Sequence, residues 1–125
     1  MNSAIKVLIV DDEHLITSSL EITLQCYGYK TTSANSGNEA LYAVRSGHFH
    51  IALLDIRMPA MNGIEAAKEI RKIRKNLTII AQTAFVFEDD KDIVLEAGCD
   101  ACLIKPIRKD HLISVMSSFV KSERQ

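Results

Sequence analysis

Short apolar runs alternate along this chain with longer segments whose apolar residues recur every three or four positions. Ile5-Lys6-Val7-Leu8-Ile9-Val10 is the first run, rich in β-branched residues, and it reads as a strand. From His14 to Tyr27 the apolar positions Ile16, Leu20, Leu24 and Tyr27 fall at helical spacing, and Gly28 supplies a stop. Tyr29 to Ala34 is polar and Thr-rich, a strand suited to a sheet edge. Ser36-Gly37-Asn38-Glu39 opens a second helix that carries Leu41 and Val44 and closes at Gly47. Ile51 to Leu54 is apolar throughout, as a strand covered on both faces should be.

Asn62, with Glu65 three residues on, caps a third helix whose buried stripe is Ala66, Ile70 and Ile73. Its basic residues Lys68, Arg71, Lys72, Arg74 and Lys75 are assigned to the solvated face. Leu77 to Ala81 forms a fourth strand. Glu88-Asp89-Asp90 then sets negative charge at the positive end of a fourth helix, continued by Ile93, Val94 and Ala97 and stopped at Gly98. Ala101 to Ile104 is a fifth strand. A last helix, from Lys109 to near Lys121, presents Leu112, Val115, Met116 and Phe119 on one face.

Strand and helix in strict alternation predict an α/β fold: a parallel sheet with helices on both faces. The whole chain, residues 1–125, is read as one domain with an ordered core over 4–122, and no output domain is expected after Gln125. A hydrophobic content of 47% supports a packed interior and argues against disorder. The net charge of −1 provides neither the basic face of a nucleic-acid binder nor a polybasic membrane patch. No apolar run approaches the roughly 20 residues of a membrane span, and the N-terminus is no signal peptide, so a cytoplasmic location is expected. Cys99 and Cys102 form a C-x-x-C, but no second ligand pair accompanies it. It also falls in a strand, away from the helix start that would lower a thiol pKa. With Cys26, these are read as reduced and mostly packed thiols.

Four of the five strands end in a polar group: Asp11-Asp12, Asp55, Thr83 and Lys105. In a parallel sheet all strand C-termini lie along one edge, where open α/β folds place their ligands. Pro59 then forces the chain beyond Asp55 out of regular structure. Three carboxylates in one dry crevice repel each other unless a cation joins them. Mg²⁺ fits best, because it takes one or two carboxylates and keeps several waters. Lys105 offers a point charge to Asp55 or to a phosphoryl group placed on it, and Thr83 offers a hydroxyl donor. These are the parts that neutralise the oxygens of a transferring phosphoryl group. A carboxylate can itself be the nucleophile, and Asp55 is the central one. His14, beside the acidic cluster, reads as a solvated first-turn residue, since Mg²⁺ avoids nitrogen. His48, His50 and His111 show no ligand spacing.

At these residues the chain resembles the receiver domain of two-component response regulators over essentially its whole length. Five pieces carry the resemblance: Val10-Asp11-Asp12-Glu13, Leu54-Asp55 through Met58-Pro59 to Asn62-Gly63, Gln82-Thr83-Ala84, Glu96-Ala97-Gly98-Cys99-Asp100 and Lys105-Pro106. The resemblance implies a flavodoxin-like sheet of strand order 2-1-3-4-5. It implies that Asp55 takes a phosphoryl group from a phosphohistidine on a histidine kinase or phosphotransfer protein, and that the product shifts conformation to regulate a partner or fused domain. Asp12 and Asp55 would hold Mg²⁺ directly with the backbone carbonyl of Arg57, and Asp11 mainly through water. Thr83 and Lys105 would hold the phosphoryl oxygens, and Lys105-Pro106 would be cis. The wording around Thr83 and Gly98 is similar to receivers of hybrid histidine kinases. The surface at Leu15 and Ile107 would face the phosphohistidine donor.

Other readings keep a place. A docking scaffold that needs no phosphoryl group is one. A haloacid-dehalogenase-like phosphatase would want an acidic residue where Arg57 stands, and a flavin carrier would want a Ser/Thr/Gly phosphate cradle in place of Asp11-Asp12-Glu13. The chain also departs from the receiver pattern, with Cys102 where an aromatic switch residue is usual. Phe85 or Phe87, following Thr83, is expected to carry part of the rearrangement. Arg57 and Phe85 stand at positions that tune water access to the phosphoryl group, so bulky Phe85 should retard autodephosphorylation. Phe85→Ala should therefore speed the loss of label from the phosphorylated chain, and an unchanged decay rate would remove this role.

Overall fold

Each apolar run becomes a strand and each periodic segment a helix in the computed structural model, which describes residues 4–56, 62–83 and 88–123. The order is β1 (Lys6–Val10), α1 (His14–Cys26), β2 (Lys30–Ala34), α2 (Gly37–Ser46) and β3 (Ile51–Asp55). It continues with α3 (Gly63–Ile73), β4 (Thr78–Thr83), α4 (Glu88–Glu96), β5 (Ala101–Ile104) and α5 (Lys109–Glu123). All strand pairs are parallel, in the order β2-β1-β3-β4-β5. The polar strand β2 takes the edge, as its composition predicts.

Side chains alternate across a strand, so each strand feeds two layers. Leu8 and Val10 of β1 join Ala52, Leu54, Ile79 and Ala81 beneath α2, α3 and α4. Val7 and Ile9 join Ile51, Leu53, Ile80 and Leu103 beneath α1 and α5. β3 lies in the middle of both layers and is buried at all five positions. Each of Ile51, Leu53 and Leu54 contributes about 1.5–3 kcal/mol by leaving water. The helix starts are capped as expected, with the Ser36 and Asn62 side chains accepting from the backbone N–H of Glu39 and Glu65 at 3.1 and 2.9 Å.

Four expectations change. β3 extends through Asp55 and β4 through Thr83, because the sheet continues to use their backbones. Ile56 N donates to Gln82 O at 3.0 Å, and Lys105 N donates to Thr83 O at 2.7 Å. Tyr27 leaves the apolar stripe of α1 and lies half in solvent beyond the helix end, its ring 5.7 Å from the Lys109 ammonium at the start of α5; Thr17 is buried in α1 instead. Cys26 is exposed, whereas Cys99 is buried; none of the three cysteines is joined in a disulfide. Burial, with Cys102 and Asp100 nearby, pushes the Cys99 thiol up to about 12 against the opposing pull of Arg71. A neutral, inert thiol results.

Arg71 is the fourth change. It leaves the solvated face of α3 and clasps three segments together. Its Nε and Nη2 donate to Gly98 O at 3.1 and 2.6 Å, its Nη1 to Leu77 O at 2.6 Å, and its Nη2 pairs with Asp100 at 2.9 Å. Asp100 in turn accepts from Ile79 N at 2.8 Å. A planar guanidinium can serve several carbonyls at once, which a lysine cannot. Among the described residues no helix is long and apolar enough to cross a membrane.

Gly63 sets the approach of α3 to the end of β3. A Cβ there would collide with Asp55 O and Ile56 Cα, and its own N–H donates to Ile56 O at 2.8 Å. Backbone cannot yield as a flexible side chain does. Gly63→Ala should therefore lower stability to urea by about 1–3 kcal/mol, the usual cost of overpacking, and an unchanged midpoint would show that the strand end can give way.

Candidate functional site

The C-terminal edge of the sheet collects most of the residues that the sequence marks. Asp11, one residue past β1, is wholly buried, and Asp55, the last residue of β3, is nearly so. Asp12 stands exposed at the rim. Carboxylate oxygens of all three lie within 4.8 Å of one another. Thr83 ends β4 at the same edge and is buried, its strand one register step beyond the Asp55–Gln82 pair.

Asp11 is held from several sides. Its backbone N–H donates to Ala34 O at 3.1 Å, and its carbonyl accepts from Asn35 Nδ2 at 2.9 Å. One carboxylate oxygen accepts from Glu13 N at 3.0 Å, a local turn that aims the side chain at the crevice. Asn35 was not singled out by sequence reasoning. Its only signal is an amide side chain placed just after the edge strand beside β1. Gly63 was quoted only within a motif, since a close backbone approach leaves no mark in periodicity.

Lys105 arrives from the far side, following β5, and the Lys105-Pro106 peptide is cis as expected. Its ammonium lies 3.3 Å from an oxygen of Asp11 and 3.3 Å from an oxygen of Asp55. Burial alone would lower the Lys105 pKa. The two carboxylates and their hydrogen bonds more than reverse that and hold it above the ordinary lysine value. Lys105 therefore stays charged throughout the physiological range. Both contacts are longer than the roughly 2.7–2.9 Å of a tight charge-assisted bond, so the ammonium is shared between its partners and committed to neither.

Three carboxylates against one ammonium leave two negative charges, the charge of one divalent cation. The donors are all oxygens, which suits a hard ion such as Mg²⁺ and excludes a preference for soft metals. The third expected ligand, the backbone carbonyl of Arg57, lies outside the described residues, as do Phe85 and Phe87. His14 is exposed and the only metal-competent cluster found among the described residues is Asp11, Asp12 and Asp55. Leu15 is strongly exposed beside the site, and Ile107 is half-buried against the α1–α5 layer.

Known proteins resemble this chain over most of its length. A family model described as the response regulator receiver domain matches residues 7–117. The chain is 37% identical over 116 residues to a transcriptional regulatory protein CpxR homologue of Haemophilus influenzae, a match covering 93% of this chain and 50% of that one. It is 32% identical over 124 residues to the sensor histidine kinase RcsC of Escherichia coli, covering 99% of this chain and 13% of the kinase. The chain thus spans about half the length of the first relative and a small part of the second. Among solved structures, the response regulator TrrA of Thermotoga maritima in complex with Mg²⁺ and beryllofluoride superposes with a TM-score of 0.84. The identity is 36%, over 92% of this chain and 98% of that one.

The crowding of Asp12 against Asp11 and Asp55 has a measurable consequence. In chelator, Asp12→Asn relieves like-charge repulsion and should raise the melting temperature by a few degrees. The extra stability that millimolar Mg²⁺ confers on the wild type should shrink sharply in this variant. Equal Mg²⁺ stabilisation of both proteins would exclude Asp12 as a ligand.

Proposed function

Because the chain belongs to the response regulator receiver domain family, the phosphoacceptor module of two-component signalling, we propose that Asp55 is its phosphoacceptor. The observation that carries this reading is the convergence of Asp11, Asp12 and Asp55 in one cluster, with the Lys105 ammonium on Asp11 and on an almost wholly buried Asp55. A carboxylate oxygen of Asp55 attacks the phosphorus of a phosphohistidine. The new O–P bond forms as the P–N bond breaks, and the imidazole leaves with the electron pair and takes up a proton. The donor is a histidine kinase or a histidine phosphotransfer protein.

Lys105 already touches Asp55 and needs only a small movement of its flexible stem to pair with a phosphoryl oxygen. Thr83, buried at the neighbouring strand end, supplies a hydroxyl to another oxygen. Asp11, Asp12 and Asp55 are the residues that would hold Mg²⁺, assisted by the Arg57 carbonyl. Bound there, the ion would neutralise charge on the transferring oxygens. The buried floor limits water around Asp55, which favours a lifetime long enough for signalling. Hydrolysis of the acyl phosphate then resets the domain, with Arg57 and Phe85 governing water access. Phosphorylation shifts the conformation, and that shift regulates a partner or a fused segment. Charge again explains why: the product adds negative charge to a cleft where Lys105 is already shared between Asp11 and Asp55.

Acetyl phosphate with Mg²⁺, read by mass spectrometry, tests the assignment directly. The wild type should gain one phosphoryl group on Asp55, whereas Asp55→Asn, or chelator with the wild type, should abolish it. Lys105→Ala should slow labelling by at least tenfold. Label at another residue, or undiminished labelling in chelator, would overturn the reading.

A further inference from the structure

The open edge of β2 carries a pattern that the phosphoryl chemistry does not use. β2 pairs with β1 alone and ends the sheet. Lys30 N donates to Ile5 O at 2.9 Å, and Ala34 O accepts from Asp11 N at 3.1 Å. Lys30, Thr32 and Ala34 therefore turn their backbones toward β1, and Thr31 and Ser33, of the other parity, direct N–H and C=O outward. Side chains alternate as well. Thr31 Oγ1 binds Gln25 and Glu21 on the α1 side, whereas Ala34 lies in the α2 layer, and Lys30 and Thr32 share its parity. Sheet edges are usually blunted by proline, by a bulge or by charge. β2 contains no proline and pairs with β1 one to one without a bulge, so charge alone is left. That charge has a complement on the same edge. Lys30 begins β2, and Glu39 lines the groove beside the Ala34 end with Thr32, Tyr42 and Phe49. Glu39 accepts only a long 3.5 Å bond from Ser36 Oγ, and neither Lys30 nor Glu39 forms an ion pair among the described residues.

We propose that β2 is a self-pairing edge: two copies of this chain join β2 to β2, antiparallel about a two-fold axis at Thr32, into one continuous sheet. In this register Thr31 of each copy faces Ser33 of the other. The facing residues exchange both N–H···O bonds, so every outward backbone group of the strand is satisfied. An axis at Thr31 would instead set Ser33 against Tyr29, whose N–H is already given to Leu24 O. The axis at Thr32 also lays Lys30 of each copy beside Ala34 of the other, on the face where Glu39 stands. Both unpaired charges then find a partner, and electrostatics fixes the direction. A parallel alignment would oppose Lys30 to Lys30. Tyr42, 73% exposed on the groove, becomes partly covered. The contact is isologous and uses β2 once per copy, so it closes as a dimer and does not propagate. It stands independently of the Asp55 reading.

Sedimentation velocity of the full chain from micromolar to millimolar concentration tests this, and should show a reversible monomer–dimer equilibrium. As concentration rises, the Thr31 and Ser33 amides should exchange more slowly. A mixture of isotope-labelled and unlabelled chain should give a cross-copy nuclear Overhauser effect between Thr32 α-protons, which lie close in a non-hydrogen-bonded antiparallel pair. Ser33→Pro removes an outward donor without touching the β1 ladder. It should fold with a melting temperature near that of the wild type and weaken the dimer at least tenfold. Lys30→Glu and Glu39→Lys should each weaken it about tenfold by opposing like charges, and the two together should restore it. A monomer at every concentration, a dimer indifferent to Ser33→Pro, or charge reversals that the double variant does not rescue would overturn the proposal. Thr31 and Ser33 amides that stay labile on concentration but are protected by an unrelated extended peptide would give the edge to another protein and overturn it as well.

Discussion

Like charge kept out of water is the constraint around which this molecule is arranged. Asp11 and Asp55 are buried within a few ångströms of each other and of Asp12, and one shared ammonium offsets only part of their repulsion. Such an arrangement persists only where the surrounding structure is stable enough to hold it. Here the support is a sheet whose central strand is covered on both faces, with β-branched and leucine side chains interlocked in two layers. The acidic residues occupy strand ends, where backbone ladders and turns fix their positions. The excess negative charge is what would attract a dication to this edge.

The placement of each polar side chain follows from strand geometry more than from local preference. Parallel strands deliver their C-terminal residues to one edge, and parity then decides which side of the sheet each one serves. Thr83 and Gln82 are neighbours in the chain, yet they turn to opposite layers. Thr83 turns to the α3 side at the acidic edge, and Gln82 lines a cleft beside α1. A one-residue slip of β4 would exchange these roles and send the alternating apolar residues to the wrong layers, so the two burial layers themselves keep the register.

Much of this was legible before any coordinates. The five strands, the capping residues Ser36 and Asn62, the edge position of β2 and the convergence of Asp11, Asp12, Asp55, Thr83 and Lys105 all follow from periodicity and from parallel topology. What escaped was long-range and side-chain specific. Arg71 sits in a run of basic residues that looks like a solvated face, and only the fold brings Leu77, Gly98 and Asp100 within its reach. Tyr27 matches the apolar spacing of α1, yet the helix ends one residue before it and the ring turns toward Lys109. Asn35 and Gly63 act through backbone proximity, which hydrophobic pattern does not encode. Gln82 was visible in the motif, but that its Nε2 has no hydrogen-bond partner among the described residues is a property of three dimensions.

The Arg71 clasp bears on how a change at the phosphoacceptor edge spreads. It binds the end of α3, the approach to β4 and the turn after α4, at the opposite end of the sheet from Asp55. Gly98, in the left-handed region at φ 107, is pinned there through its carbonyl. α4 is therefore tethered firmly at its C-terminal end, while its other end follows the strand that finishes in Thr83. The tether leaves the Gly98 end of α4 in place, so any displacement of the strand end at Thr83 would fall on the opposite end of that helix.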